Sequence, residues 1–404
     1  MKIIYIGKFF PQNLLKTINK NSRNKIGLSN HNFEMSILNG LCKQKNIELE
    51  CITCPGVFSY PHNNRMLFTK AESYDYRNTH IYSVGFCNLI GLKECFSTYA
   101  MARQLVKIAN NCKEKTVHLI VNTPDIRIFN AIKIAEKRTD KYFTKTIIIP
   151  DIPSIITAMD RQNPMKGFLL KRRNKKEMDY SSNCNGLVLL TESMMDFVNK
   201  KIKHIIMEGI VDVESMDKSI KNFEDKKSII LYTGTLRKIF GVMNLVNAFR
   251  MVQDDNAELW ICGSGDSKEA IEEAARKDAR IKFFGLVDSK TALEMQHKAT
   301  ILVNPRTSEG EYTRYSFPSK TMEYLLAGRS VIINRLPGIP EEYYEYVYTP
   351  KDESIKAFAD CISYVLNLDK NIRDKRSKAG RQFIIEKKNS KVQMERVIKM
   401  IQSY

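Results

Sequence analysis

The 404-residue sequence has no run of 18 apolar residues, the length a helix needs to cross a bilayer. Its opening stretch, Met1 to Gly7, turns polar too soon for a secretory signal peptide. The nine cysteines are odd in number and scattered, which favours reduced thiols. We therefore expect a cytoplasmic protein with no membrane span.

Metal and redox motifs are also scarce. Cys51 and Cys54 form a lone CxxC at a strand end, so we interpret them as small core residues rather than zinc ligands or a redox pair. No D-x-D motif follows a predicted strand. We expect no metal and no cofactor.

A dinucleotide fingerprint is likewise missing. Gly263 and Gly265 form a G-x-G, but Lys268 occupies the third glycine position, which argues against NAD or FAD. We interpret the two glycines as a strand-to-helix turn and Asp266 as the cap of the next helix.

Positive charge is plentiful, with a formal net charge of +19 and a pI near 9.4. Such a surplus suggests nucleic acid, an anionic membrane or phosphorylated substrates as partners. The basic residues are spread over the whole chain, and no helix-turn-helix, zinc finger or aromatic stacking module is present. We expect no nucleic-acid partner.

Short runs rich in Ile and Val alternate with amphipathic helical patterns, twice over. This alternation predicts an α/β protein with two doubly wound, Rossmann-like domains, at 1–210 and 228–384. We interpret the polar stretch 211–227 as a linker, and we expect the C-terminal helix, 385–404, to return to the first domain. Two such domains would face each other across a ligand-binding cleft.

Some predicted elements have well-defined bounds. The pattern predicts strands at Ser228–Thr233, Ala257–Cys262 and Tyr346–Tyr348. It predicts a helix at Ser193–Lys201 and a long basic helical region from about Lys370 to Gln402.

The stretch Ser316–Gly328 has the features of a capped helix. Ser319 is a good N-cap, and Gly328 can take the left-handed conformation that ends a helix. Between them, Met322, Leu325 and Leu326 fall on one side and should face a core.

Lys320 and Glu323 lie near the start of this helix. Free backbone N–H groups and partial positive charge suit that end to a phosphate, and a carboxylate one turn later suits a pair of sugar hydroxyls. The alternative is an ordinary amphipathic helix whose glutamate only favours the helix dipole.

Other loops carry possible ligand contacts. Gly234 and Thr235 allow close approach of the backbone, and Arg237 and Lys238 offer donors to a diphosphate, unless the loop is simply a solvated turn. The turn containing Leu286 could read the edge of a base or be an ordinary turn.

Six motifs in order resemble the C-terminal domain of the family-four glycosyltransferases, which have the GT-B fold. The form is similar to members that build bacterial capsular or lipopolysaccharide chains. The motifs are G-T-L at Gly234, G-x-G at Gly263, Phe284-Gly-Leu-Val287, Asn304-Pro-Arg306, Ser316–Gly328 and Gly338–Glu342.

The resemblance implies a sugar transferase, of the hexosyl type, that retains anomeric configuration. We expect it to need no metal, because the helix start at Ser319 with Lys320, Arg237 and Lys238 can neutralise the leaving diphosphate. The resemblance places the ribose hydroxyls on Glu323 and phosphate on Ser319 and Lys320, and it adds Leu286 and Arg306 to the nucleotide-sugar contacts. The expected donor is a nucleoside diphosphate sugar, with a UDP-sugar preferred to a GDP-sugar. The expected acceptor is a glycan or a polyprenol-linked glycan.

Two departures from the family pattern stand out. Tyr315 occupies the position of the first of two signature glutamates, while Glu309 lies too early to match it. Phe240 occupies the position of the phosphate-binding lysine, so Arg237, Lys238 or Lys320 must replace that lysine.

Candidates in the first domain are fewer. In the family this domain binds the acceptor, and the resemblance makes Gly27, Ser29, Asn30 and His31 candidate acceptor contacts, although Ser29 could be a plain N-cap. Asp151 follows a buried strand where relatives have a His-Asp pair. We place it with Lys320 and Glu323 as a catalytic candidate; the alternative is a turn cap.

The segment 165–178 is basic with interleaved apolar residues. Met165, Phe168 and Leu169 can form one face, and such a helix can lie on an anionic leaflet. We therefore expect peripheral contact with the inner face of the plasma membrane, the alternative being a core-facing helix with a solvated basic side. The functional alternatives to a transferase are a nucleotide-sugar epimerase and an inactive GT-B binding protein.

Overall fold

The computed structural model describes residues 1–23, 29–61, 64–153, 164–215 and 227–404. The chain divides into two compact units, which are 1–212 together with 390–404, and 213–389. The predicted linker lies largely outside the described residues, since 216–226 are not among them.

The first unit alternates strands and helices. Its strands are β1 (Lys2–Gly7), β2 (Glu48–Thr53), β3 (Phe68–Thr69), β4 (Glu72–Tyr76), β5 (Thr79–Ser83), β6 (Phe86–Cys87), β7 (Thr116–Asn122), β8 (Tyr142–Ile149), β9 (Gly186–Leu189) and β10 (Lys203–Ile206). Its described helices up to Asp212 are α1 (Gln12–Asn21), α2 (Ser29–Cys42), α3 (Leu92–Asn110), α4 (Ile126–Glu136) and α5 (Pro164–Ser181).

An eight-stranded sheet in the order β10-β9-β8-β7-β1-β2-β5-β4 forms the centre of this unit. Neighbouring strands are parallel except β4 and β5. Every residue of β1 is buried, as expected for a parallel strand covered on both faces. The strand order reverses between β1 and β7, so the loops that follow these two strands lie side by side.

Several elements of this unit differ from the sequence prediction, and α1, β3 and β6 are among those that were not predicted. The edge strand β4 was not predicted, because its residues are mostly exposed and contain no buried apolar run. The helix predicted at Ser193–Lys201 is wrong: a short 3-10 helix spans Glu192–Phe197, and the extended backbone of Val198 ends it.

The second unit repeats the alternation. Its strands are β11 (Ser228–Thr233), β12 (Ala257–Cys262), β13 (Ile281–Gly285), β14 (Ile301–Asn304) and β15 (Ser330–Ile333). Its described helices are α6 (Val242–Arg250), α7 (Lys268–Lys277), α8 (Ser289–Lys298), α9 (Lys320–Leu326), α10 (Ile355–Asn367) and α11 (Lys370–Lys387).

All five strands of this unit are parallel, in the order β13-β12-β11-β14-β15. β11 and β12 have the predicted bounds. The predicted strand Tyr346–Tyr348 is wrong, because the 3-10 helix Glu341–Glu345 leaves Tyr346 in helical geometry and only Tyr348 pairs, as an isolated bridge to Ile332. The strand order reverses between β11 and β14, where a doubly wound sheet opens a crevice for ligands.

The long basic region is two helices rather than one. Helix α11 ends at Lys387, and Lys388 and Asn389 connect it to α12 (Ser390–Ile401). Helix α12 packs on α2 in the first unit. A Cβ on Gly40 of α2 would lie 2.2 Å from the carbonyl oxygen of Ser390, so the two helices approach closely only because glycine stands there. The predicted return of the C-terminal helix to the first domain is thereby confirmed.

All nine cysteines are free thiols, and Cys51 and Cys54 are buried in the first unit as predicted. Within the described ranges, no helix is both long and apolar enough to span a bilayer. The prediction of two doubly wound α/β domains is confirmed.

Candidate functional site

The loops that follow β11 and β12 pack tightly on each other. A Cβ on Gly263, whose φ is +145°, would lie 1.8 Å from the carbonyl oxygen of Gly234. A Cβ on Gly265 would come within 2.5 Å of the Leu236 backbone. The G-x-G motif therefore serves contact between these two loops rather than a dinucleotide.

Asp266 does not cap the following helix as predicted. Its Oδ1 accepts a hydrogen bond from the backbone N–H of Lys238 at 2.7 Å, and Ser267 takes the N-cap position of α7. The carboxylate therefore fixes the β11 loop at Lys238, the residue after Arg237.

The structure of α9 confirms most of what the sequence predicted for the stretch Ser316–Gly328. Met322, Leu325 and Leu326 are buried, and Gly328 has a φ of +68° where the helix ends. The N-cap prediction for Ser319 is wrong in its chemistry: this residue already has helical backbone angles, and its side chain makes no cap hydrogen bond. A capping serine needs an extended backbone for its oxygen to reach the free N–H groups.

The structure brings Lys320 and Glu323 together. The ammonium of Lys320 lies 2.8 Å from each carboxylate oxygen of Glu323, and Gln296 Nε2 donates to Glu323 Oε1 at 2.6 Å. About a third of each charged side chain is exposed. The carboxylate is therefore held in one orientation yet stays open to a ligand.

Behind Glu323 lies a buried network that the sequence did not reveal. The Tyr324 hydroxyl accepts from the backbone N–H of Thr233 at 2.9 Å and lies 3.1 Å from its carbonyl oxygen as a donor. Gln296 Nε2 also donates to Thr233 Oγ1 at 3.1 Å. Thr233, the last residue of β11, therefore fixes both the helix that carries Glu323 and the amide that orients it.

Burial raises the pKa of the Tyr324 hydroxyl, so the network stays neutral at physiological pH. Gln296 lies within a largely polar helix, where nothing in the sequence marks it as buried. Tyr324 is adjacent to a candidate residue, but an aromatic residue at helical spacing indicates core packing alone.

The remaining nucleotide-sugar candidates lie on loops at the carboxyl ends of the strands. Gly234 and Arg237 are partly exposed, while Thr235 and Lys238 are exposed. Leu286 follows β13 and is 74% exposed. Its side chain is open to solvent, as a contact to a nucleotide would require.

Arg306 follows β14 and is half-buried. Its guanidinium carbon lies 4.4 Å from the centre of the Phe240 ring and 5.6 Å from that of Tyr312, and Nη1 approaches Ser316 Oγ at 3.4 Å. Burial lowers the pKa of Arg306, although arginine remains charged at neutral pH.

The two residues related to the missing signature glutamate lie in different environments. Tyr315 is buried, with 5% of its surface exposed, and Arg314 lies over its ring. Glu309 is exposed in the loop that precedes the 3-10 helix Glu311–Arg314. A buried tyrosine cannot take the place of an exposed carboxylate, whereas Glu309 is accessible.

Candidates in the first unit are placed as follows. Asp151 lies just after β8; the residue is exposed, yet desolvation of its carboxyl raises its pKa to about 6. Ser29 and Asn30 are exposed at the start of α2, and His31 Nδ1 accepts from the backbone N–H of Phe10 at 3.3 Å. Burial lowers the pKa of His31, which favours the neutral ring. Gly27 lies outside the described residues.

Sequence reasoning missed a buried polar cluster where the order of the first sheet reverses. Glu34 accepts from the backbone N–H of Lys8 at 2.7 Å, and burial raises its pKa to about 7. The ammonium of Lys8 lies 2.8 Å from the fully buried Asp125. In the described part of the chain, no group of three or more His, Cys, Asp or Glu side chains is arranged to hold a metal ion.

Residues 227–368 match the family model described as glycosyl transferases group 1. The matched residues lie within the second unit. No curated protein sequence matches the chain significantly. The resemblance to glycosyltransferases is therefore confirmed for this domain, while the family-four, retaining and capsular assignments stay predictions.

Solved structures similar to this chain extend over its whole length. Sucrose-phosphate synthase from Thermosynechococcus elongatus has a TM-score of 0.62 at 13% identity, covering 100% of each chain. A TarM variant from S. aureus, in complex with fondaparinux, alpha-GlcNAc-glycerol and UDP, has a TM-score of 0.60 at 11% identity, covering 99% of each chain. Anabaena HepE in complex with UDP has a TM-score of 0.60 at 9% identity, covering 100% of each. At these identities they establish the fold, which is GT-B.

Removing the Tyr324 hydroxyl tests the buried network. We expect Tyr324→Phe to lower the free energy of unfolding by about 1–3 kcal/mol, because the N–H of Thr233 loses its partner without water to replace it. Tyr364→Phe, whose ring is 60% exposed, is the control and should change stability little. Chemical denaturation of both variants measures the difference; equal stability would show that the network does not hold β11 to α9.

Proposed function

We propose that the protein transfers a sugar from a nucleoside diphosphate sugar to a hydroxyl group of a glycan or lipid-linked acceptor in surface polysaccharide synthesis. The observation that carries this proposal is the placement of the Glu323 carboxylate. Its carboxylate lies at the start of α9 in a group 1 glycosyltransferase domain, oriented by Gln296 and Lys320 and partly open to solvent.

A carboxylate in this position can accept hydrogen bonds from the two ribose hydroxyls of the donor. The departing diphosphate develops negative charge, which fixed positive groups stabilise in the transition state. Lys320 is held beside Glu323, and Arg237 and Lys238 lie on the loop that Asp266 fixes. These groups do the work for which other transferases use a metal ion, and we propose a metal-independent reaction.

We propose retention of anomeric configuration, with the leaving phosphate taking the acceptor proton. This route needs no dedicated base. Asp151 would then contact the donor or acceptor as a carboxylate, with Ser29, Asn30 and His31 on the acceptor side. A UDP-sugar is the proposed donor, consistent with the UDP bound by TarM and HepE.

A thermal-shift screen against UDP, GDP, ADP and CMP tests the donor site. One diphosphate should raise the melting temperature, because a ligand that binds only the folded state stabilises it by about 2.7 kcal/mol at a hundred times its Kd. Glu323→Ala should abolish the shift, whereas Glu269→Ala, at an exposed position of α7, should retain it. The absence of any shift at millimolar ligand would contradict the transferase proposal and favour a binding protein that has lost its donor.

The pH dependence of transfer tests Asp151. Because its pKa is raised to about 6, the carboxyl is mostly protonated below pH 6 and ionised above it. If the ionised form contacts the substrates, kcat/KM for a UDP-sugar should rise through about pH 6 in the wild type and lose that step in Asp151→Asn. An unchanged rate and profile in the variant would remove Asp151 from the active site.

We further propose that α5 lies on an anionic membrane at the inner face of the plasma membrane. Phe168 and Leu169 are 63% and 61% exposed, so this apolar pair does not face the core. The opposite side buries Asn174, Glu177 and Ser181. The basic residues around the apolar pair are exposed, namely Lys171, Arg172, Lys175 and Lys176. An exposed apolar pair within a basic surface suits the boundary of an anionic leaflet.

Vesicle sedimentation tests this contact. The protein should pellet with phosphatidylglycerol vesicles and stay in solution with phosphatidylcholine vesicles. Replacing both Phe168 and Leu169 with Ser should weaken the binding severalfold, while Ile372→Ser, an exposed apolar residue of α11, should not. Equal pelleting of all three proteins would overturn the proposal for α5.

A further inference from the structure

A half-buried arginine normally lies beside a carboxylate, because a charge withdrawn from water needs compensation. Arg127 has Asp125 at 2.6 Å, and Arg280 has Asp278 at 2.9 Å. Arg306 differs: among the described residues, no carboxylate lies within 4.0 Å of its guanidinium. In the described part of the chain, no ion pair compensates its charge.

Aromatic rings support this guanidinium instead. Phe240, from the loop after β11, and Tyr312, from the loop after β14, both lie within cation–π distance of it, at 4.4 and 5.6 Å. The Tyr312 hydroxyl donates to the carbonyl oxygen of Ile239 at 3.0 Å, which ties the two loops together. The rings stabilise the cation electrostatically, but they carry no negative charge that would neutralise it.

The backbone of Arg306 is fixed on both sides. Its N–H donates to Asn304 Oδ1 at 3.4 Å, and Asn334 Nδ2 donates to its carbonyl oxygen at 3.0 Å. The side chain, by contrast, has one hydrogen bond within the described residues, the 3.4 Å contact with Ser316. A guanidinium has five N–H donors, so most of this fork is unused.

The place of this cation suits an anionic ligand. Arg306 follows β14 and rests on a residue of the β11 loop, and these are the two strands between which the sheet order reverses. Burial raises the pKa of Tyr312, while the positive charges of Arg306 and Arg237 act against that rise. Lys320, in contrast, is already paired with Glu323.

We propose that Arg306 binds the phosphoryl oxygens of the donor diphosphate, held for that purpose between Phe240 and Tyr312. This deepens the proposed function and rests on it. The planar fork of arginine can donate two parallel hydrogen bonds to a phosphoryl group, which an ammonium cannot. Phe240 occupies the position where the family has a phosphate-binding lysine. Its ring supports the Arg306 guanidinium, which supplies the cation in place of that lysine.

Calorimetric titration of UDP, GDP and ADP, each with its monophosphate and its nucleoside, tests this role. In Arg306→Ala the affinity for the diphosphate that the wild type binds should fall at least tenfold, while the affinity for the matching nucleoside changes less than twofold. The affinity of Arg306→Lys for the diphosphate should lie between those of the wild type and Arg306→Ala. Arg335→Ala, which removes an exposed partner of Glu341, is the control and should bind as the wild type does.

A compensating variant separates charge from packing. Phe240→Lys places an ammonium within a few ångströms of the guanidinium position, so adding it to Arg306→Ala should recover most of the lost diphosphate affinity. Equal losses for nucleoside and diphosphate, or no loss at all, would overturn the role of Arg306 while leaving the proposed function intact. If the wild type binds no diphosphate, the proposed function fails first.

Discussion

The candidate site depends on the hydrogen bonds that Thr233 makes at the end of β11. Its backbone bonds to the Tyr324 hydroxyl and its side chain to the Gln296 amide, all out of contact with water. Since an unpaired buried polar group is costly, these bonds leave α9 and α8 one arrangement against the strand. That arrangement also fixes the position of Glu323, because its neighbour in sequence, Tyr324, and its hydrogen-bond partner, Gln296, both belong to the network.

A second constraint shapes the loops around this network. Gly263 allows the β12 loop to touch the backbone of Gly234, and Asp266 holds the backbone N–H of Lys238. Stacking of Arg306 on Phe240 then links the β11 loop to the β14 loop. The point where the sheet order reverses is thus lined by positive charge on loops whose positions are fixed before any ligand arrives, which lowers the cost of binding.

Periodicity and turn residues predicted the fold well. The bounds of β11 and β12, the buried face of α9 and its stop at Gly328 all follow from local patterns. The prediction failed where tertiary contacts decide: Asp266 bonds another loop rather than its own helix, and Gln296 is buried in a polar helix. Arg306 was named from its motif, but the nearer of its two aromatic rings, Phe240, is distant in sequence, which no local pattern shows.

The most direct test of this account is a crystal structure of the protein with the nucleoside diphosphate that it binds. We expect the ribose hydroxyls within hydrogen-bond distance of the Glu323 carboxylate and the phosphoryl oxygens on the Arg306 guanidinium, with the Thr233, Gln296 and Tyr324 bonds unchanged. A nucleotide bound away from the carboxyl ends of β11 and β14, or one that leaves Glu323 paired only with Lys320, would contradict it.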